Sequence, residues 1–234
     1  MYPVCEEVSV EMFVNDTHFI TFMCTPENLK ELAAGHLFNR GLIQFADDVH
    51  SLKVCNNLKK IYLHSDFIDL QNDSHLGSVI ASSCGSGIST KLKFDKSIES
   101  NYTTTLSEIK NSAVEMFKNA VKHRETGGMH SCALMVEGIH IASLEDVGRH
   151  NAVDKVIGNS LLKDLSFDRS CLISTGRISA DMVLKAANAG VPIIASRSIP
   201  TSSALELALK YNITLIGRIM SEIPTIYSCW DRIK

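Results

Sequence analysis

Apolar and polar residues alternate with a period of two over Val8–Val14 (VSVEMFV) and His18–Cys24 (HFITFMC), the pattern of half-buried strands. Asn15 and Asp16 separate the two runs, and both residue types accept the backbone of a tight hairpin turn. The period then changes. Leu29, Leu32, Ala33 and Leu37 share one face of a helix predicted over "TPENLKELAAGHLFNRG", with Thr25 as N-cap, Pro26 first in the helix and Gly41 closing it. A second hairpin is predicted from "SLKVC" and "LKKIYLH" around Asn56 and Asn57. Residues 1–80 thus read as a small N-terminal α+β unit.

Ser, Gly, Asn and Thr dominate residues 71–104, and residues 81–104 read as a flexible linker that carries Cys84. Beyond it, Thr105 and Glu108 form the capping box of a helix whose apolar face is Leu106, Ile109, Ala113, Met116, Phe117 and Ala120. Gly127 and Gly128 stop it, and a hairpin of "CALMVE" and "IHIAS" turns at Gly138. Short apolar runs then alternate with helical ones: "SCLIS", "ADMVLKAANAG", "PIIAS", "ALELALKYN", "ITLIG". That alternation predicts an α/β domain over residues 105–234, a mixed, largely parallel sheet with helices on both faces.

Composition narrows the class. The chain is 45% hydrophobic and 21% charged with a net charge of −3, which gives no global electrostatic reason to expect nucleic acid. No apolar run is long enough to span a bilayer. The first ten residues lack the basic and apolar regions of a secretory signal, so a cytoplasmic location is expected. Seven cysteines, with no C-x-x-C pair, argue against a disulfide framework and against a zinc site of sequence-near ligands. Cys132 and Cys171 lie in apolar runs and read as core. Cys84, in "SSCGSG", does not.

In open α/β sheets, ligands bind beyond the carboxyl ends of the parallel strands. Those ends carry Arg149, Arg177, Arg197 and Arg218, the first three leading into helices, with hydroxyls at Ser174, Thr175, Ser179, Ser198, Thr201 and Ser202. Guanidinium forks, hydroxyls and helix starts together suit a phosphate or another anion, while single loop arginines more often face solvent. "EDVGRHNAVDK" adds Asp146, His150, Asn151, Asp154 and Lys155 where a strand becomes a helix. Asp146 alone would fit a dipole partner at the helix start, but both signs of charge with His and Asn exceed what a surface needs. A zinc deaminase would need H-x-E and a later C-x-x-C. His130-Ser131-Cys132 lacks the glutamate, and the second motif is missing.

"CTPENLKELAAGHLFNRGLI", "GGMHSCALM", "EDVGRHNAVDKVIG", "STGRIS", "MVLKAANAGVPIIAS" and "SIPTSSALELA" follow one another along nearly the whole chain. Together they resemble the FdhD family of formate dehydrogenase accessory sulfurtransferases. The resemblance implies a larger domain similar to the cytidine deaminase fold and pairing as a homodimer. It implies a loop cysteine, here Cys84, that takes persulfide sulfur from a cysteine desulfurase. That sulfur goes to the bis-molybdopterin guanine dinucleotide cofactor of molybdenum or tungsten, destined for the formate dehydrogenase catalytic subunit. It further implies that the strand-end residues, with Arg149, His150 and Asn151, bind the cofactor's guanine nucleotide arms, for which guanosine diphosphate is a mimic, and that no metal is held by the protein directly. The family's cofactor segment falls on Arg218, Ile219, Met220, Ser221, Glu222 and Ile223. Many members carry C-G-x-C-G on the loop. Here glycine stands at position 87, so only Cys84 inherits the sulfur role, with Lys91, Lys93 and the strand-end arginines as cations to favour its thiolate. A non-catalytic, cofactor-binding chaperone is the alternative.

Overall fold

The computed structural model describes residues 3–68, 78–80 and 97–234; Cys84, Lys91 and Lys93 lie outside them. Val8–Val14 (β1) and Thr17–Cys24 (β2) pair antiparallel. Asn15 and Asp16 make the turn at φ 49° and 63°, the twist a two-residue hairpin needs. Ser51–Cys55 (β3) and Lys60–His64 (β4) form the second hairpin, and Ser78–Ile80 (β5) completes a sheet of order β3–β4–β1–β2–β5. Asn15 ties the two hairpins together, its Nδ2 donating to Ser65 O at 2.8 Å and its Oδ1 accepting from Ser65 N at 3.0 Å.

The helix Leu29–Asn39 (α1) starts later than the sequence predicts, with Asn28 and not Thr25 at its cap. Thr25 is engaged elsewhere. Its Oγ1 donates to Glu6 O and accepts from Val147 N, and its own N–H donates to Asp146. A cap side chain with tertiary partners this strong cannot also serve the helix.

The second part of the chain supplies Leu106–Asn119 (α2), Val121–Thr126 (α3), His130–Val136 (β6), Ile139–Asp146 (β7) and Arg149–Leu161 (α4). Ser170–Ser174 (β8), Ala180–Ala189 (α5), Ile193–Ser196 (β9), Ser202–Lys210 (α6), Thr214–Gly217 (β10) and Thr225–Ile226 (β11) follow. The capping box of α2 forms as predicted, Thr105 and Glu108 exchanging bonds. The sheet order is β11–β10–β9–β8–β6–β7. β8, β9 and β10 pair parallel, while β6 is antiparallel to both β7 and β8, and β11 to β10. The mixed sheet expected from sequence is there, with β7, β8, β9 and β10 pointing one way.

Alternate residues of each strand face opposite sides. Ala133, Met135, Cys171, Ile173, Ile193 and Ile216 pack under α2. Cys132, Leu134, Leu172, Ile194 and Leu215 face the other way, into a core shared with α1, α4, α5, α6 and the first sheet. One apolar core therefore joins the N-terminal elements to the rest. At its centre α1 and α4 cross at two glycines. A Cβ on Gly35 would overlap the backbone oxygen of Asp154, and one on Gly158 that of Glu31. Among the described residues no helix is long and apolar enough to cross a membrane.

Candidate functional site

The strand register brings the ends of β7, β8, β9 and β10 to one edge of the sheet. His130 pairs with Asp146, Cys132 with Ser174, and Ser174 with Ser196. Each loop leaving this edge is hydrogen-bonded to its neighbour. Thr175 N donates to Ser131 O (3.1 Å), Arg197 N to Ser174 O (3.0 Å), Arg218 N to Ser198 O (2.9 Å) and Ile219 N to Ser196 O (2.9 Å). The serine hydroxyls brace the turns: Ser174 Oγ accepts from Gly176 N, and Ser196 Oγ donates to Gly176 O while accepting from Ser198 N. Rigid loops of this kind hold side chains in fixed positions without a ligand present.

The predicted residues divide into two groups. Arg177, Arg197 and Arg218 are exposed at the edge, and Arg149 and Thr175 are half-buried beside them. Arg218 holds a left-handed φ of 55°, a conformation that costs energy for any residue with a Cβ and clusters at functional turns. Ser198 is half-buried, Ser202 is exposed, and Thr201 caps α6, accepting from Ala204 N. Ser179, at the start of α5, has a buried hydroxyl with no partner among the described residues. Others turn inward. Ser174 is buried in the brace just described, Ile219 is part of the core under α2, and Asn151 and His150 are buried at the start of α4. In the last segment Met220 is half-buried, the Ser221 carbonyl accepts from Lys110 Nζ at 3.4 Å, and Glu222 and Ile223 are exposed.

Beside Arg197 lies an open cavity of about 470 Å³ lined by Val114, Phe117, Lys118, Arg124 and Met220. The Arg197 guanidinium sits over the Phe117 ring, 5.7 Å from its centroid, a cation–π arrangement. An apolar floor with a cationic rim suits a planar heterocycle that carries anionic groups. Sequence reading placed Phe117 in the helix's core face, and the ring does pack against the core. Its place at the border of the apolar arc, next to Lys118, is the signal that it also reaches the surface.

The charged residues of "EDVGRHNAVDK" build the interior behind the edge. Asp146 and Lys155 are fully buried with Nζ and Oδ2 2.6 Å apart. Asp146 also accepts from Thr25 N (3.1 Å), Gly148 N (2.8 Å) and Asn151 Nδ2 (3.1 Å). Lys155 donates to Thr25 O and Glu145 O, and Asn151 to Met23 O. The motif is thus a latch that clamps the end of β2 against the start of α4. A second buried cluster centres on Asp154, which accepts from Asn39 Nδ2 (2.7 Å) and from Lys185 Nζ (2.8 Å to each oxygen), with His36 Nδ1 at 3.3 Å. Lys185 lies 4.0 Å from Asp181, and Asp181 Oδ2 lies 2.8 Å from His150 Nδ1. Polar side chains therefore run from the α1–α4 crossing to the residue beside Arg149. Asn39 and Lys185 escape sequence reading, and Thr25 reads only as a helix cap, because their partners are distant in the chain.

This interior sets a pH response. Burial, above all, holds the His36 and His150 imidazoles below the ordinary value of 6.5, against the pull of Asp154 and Asp181. Folded, they stay neutral. The unfolded chain takes up a proton at each as pH falls through 6.5. The unfolded state then binds more protons, so stability is full above that value and drops below it. Each group contributes up to about 1.4 kcal/mol per pH unit while only the unfolded form is protonated. Urea unfolding at pH 7.5 and 5.5 should show a loss of about 2 kcal/mol at the lower pH. Equal midpoints would contradict a neutral interior.

Fold and edge together define a two-sheet α/β protein whose strand ends gather arginines at one edge, one of them over the wall of an apolar cavity. The chain belongs to the FdhD/NarQ family, whose model matches residues 5–234. It is 34% identical over 230 residues to the sulfur carrier protein FdhD of Methanothermobacter thermautotrophicus, covering 98% of this chain and 91% of that one. To the protein of the same name from Bacillus subtilis it is 32% identical over 238 residues, covering 97% and 89%. The crystal structure described as a formate dehydrogenase accessory protein from Desulfotalea psychrophila superposes with a TM-score of 0.80 at 30% identity, covering 98% of this chain and 89% of that one.

Proposed function

We propose that this chain is a sulfur carrier that serves formate dehydrogenase maturation. Cys84 accepts sulfur from a cysteine desulfurase, and the strand-end edge holds the guanine nucleotide arms of the molybdenum or tungsten cofactor as the cargo to be sulfurated. The observation that carries this reading is the gathering of Arg149, Arg177, Arg197 and Arg218 at one sheet edge, with Arg197 reaching over Phe117 in the wall of the apolar cavity that Met220 also lines. A base can lie on the apolar floor while guanidinium groups meet the diphosphate.

In the first step the Cys84 thiolate attacks the outer sulfur of the donor's persulfide. The donor's S–S bond breaks, a new one forms at Cys84, and the donor leaves as a thiolate. Four of the other thiols suit this poorly. Burial pushes Cys24 up to about 12 and raises Cys132, Cys171 and Cys229 as well, so they stay protonated and unreactive.

Incubation with a cysteine desulfurase and cysteine, followed by mass spectrometry, tests the carrier. One added sulfur on the native chain and none on Cys84→Ala is expected. Equal labelling of both would end the Cys84 assignment. Because glycine stands at position 87, the chaperone reading is kept as an outcome: a Cys84→Ala chain that still restores formate dehydrogenase activity would establish it.

A further inference from the structure

Phe117 and Lys118 lie in the last turn of α2, and α3 follows after Ala120. The start of α3 is fixed by Glu145, whose carboxylate accepts from Lys122 N at 3.0 Å and from His123 N at 2.8 Å. His123 Nδ1 lies 2.7 Å from the Met129 carbonyl, and Gly127 closes the helix at φ 71°. Arg124 stands on this anchored turn. Its Nη1 donates to Phe117 O at 2.8 Å and also to Lys118 O, two of the carbonyls that a helix end leaves without intrahelical partners.

The other half of the guanidinium is unused. Among the described residues Nε and Nη2 have no partner. These two atoms make the side-on fork of an arginine, a pair of parallel N–H donors that suits a pair of acceptors. Arg124 is exposed and lines the cavity with Val114, Phe117, Lys118 and Met220. Lys118, the other cation of that wall, is engaged with Glu115 at 2.7 Å. Arg197 follows β9 and meets Phe117 at its ring, whereas Arg124 comes from α3 and meets it at its carbonyl. The strand-end arginines supply the cations for a diphosphate. Arg124 belongs to the wall of the cavity in which the base would lie.

We infer that Arg124 reads the base: its Nε–H and Nη2–H donate to O6 and N7 of a guanine on the cavity floor, and this selects guanine over adenine. Guanine offers two acceptors along that edge, whereas adenine offers N7 beside a donating amino group. The inference rests on the strand-end nucleotide binding proposed above and adds to it a residue and a base preference.

Calorimetric titration with guanosine and adenosine diphosphates separates the two ideas. The native chain should bind the guanine nucleotide about 10- to 100-fold more tightly, the worth of one bidentate pair. In Arg124→Gln that ratio should fall within about threefold of unity or invert, because a glutamine amide pairs with N6 and N7 of adenine. Loss of the α2 cap, or of a phosphate contact, would weaken both nucleotides alike. A native-like ratio in Arg124→Gln, whether or not both affinities fall, therefore overturns the base reading. Equal binding of the two nucleotides by the native chain overturns it as well and leaves the strand-end reading standing. No binding of either by the native chain overturns both. A measurement on the native protein covers the case of a variant that does not fold. The 7-deaza analogue of guanosine diphosphate keeps the shape of the base and lacks the N7 acceptor, so it should bind about tenfold more weakly. Binding equal to that of guanosine diphosphate refutes the assignment.

Discussion

Gly35→Ala and Gly158→Ala should each cost about 4 kcal/mol or more, at the severe end of overpacking. The added methyl would meet backbone, not a side chain that can rotate away: Asp154 O and Gly158 N in the first case, Glu31 O and Gly35 N in the second. Relief requires the two helices to separate along the whole crossing. That would loosen the shared core and draw Asp154 away from His36, Asn39 and Lys185. For a chain of this size the loss corresponds to a melting temperature about 8–16 °C lower, or to little soluble protein. Gly190→Ala is the control. It has a φ of 80° but nothing within 4 Å of its Cβ, so it should cost about 1 kcal/mol. If Gly35→Ala melts within about 2 °C of the native chain, the helices are not in backbone contact.

Gly35 also shows what sequence reading reaches and where it stops. Inside a helical pattern its only sequence trace is a weak helix former. The reason for it is another glycine more than a hundred residues away. The hairpins were legible because Asn15 and Asp16 specify their turn locally, and the capping box of α2 because Thr105 and Glu108 need only each other. The start of α1 was misread because the hydroxyl of Thr25 has tertiary partners at Glu6 and Val147.

The strand-end arginines were legible through a topological rule: in an α/β alternation, loops after parallel strands share an edge. Their spatial order was not, because β6 inserts between β7 and β8. That insertion brings His130 and Thr175 to the same edge as Arg149. Phe117 was hidden in a helix face that serves both the core and the cavity. "EDVGRHNAVDK" announced a dense constellation but not its direction. Only the partners at Met23 and Thr25 show that half of it faces inward.

That inward half supports the second large effect. Asp146→Ala should destabilise the protein by about 3–5 kcal/mol, because it strands a buried cation. Lys155 would keep two carbonyl acceptors, Thr25 O and Glu145 O, and lose its counter-charge in a fully buried place. The reverse change should cost less. In Lys155→Met the carboxylate keeps three N–H donors, from Thr25, Gly148 and Asn151, and backbone donors stabilise a buried carboxylate well. The double variant should be more stable than the sum of the single losses predicts, a coupling of about 1–3 kcal/mol in a double-mutant cycle. Urea unfolding of the four chains reads it, and additive losses would mean that the two charges do not meet. Because Asp146 and Asn151 flank Arg149 and His150 in the chain, Lys155→Met, the milder single change, is also the one in which guanosine diphosphate binding can be followed. Weaker binding at unchanged fold content would mean that the latch sets the position of the strand-end arginine as well as the join between the sheets.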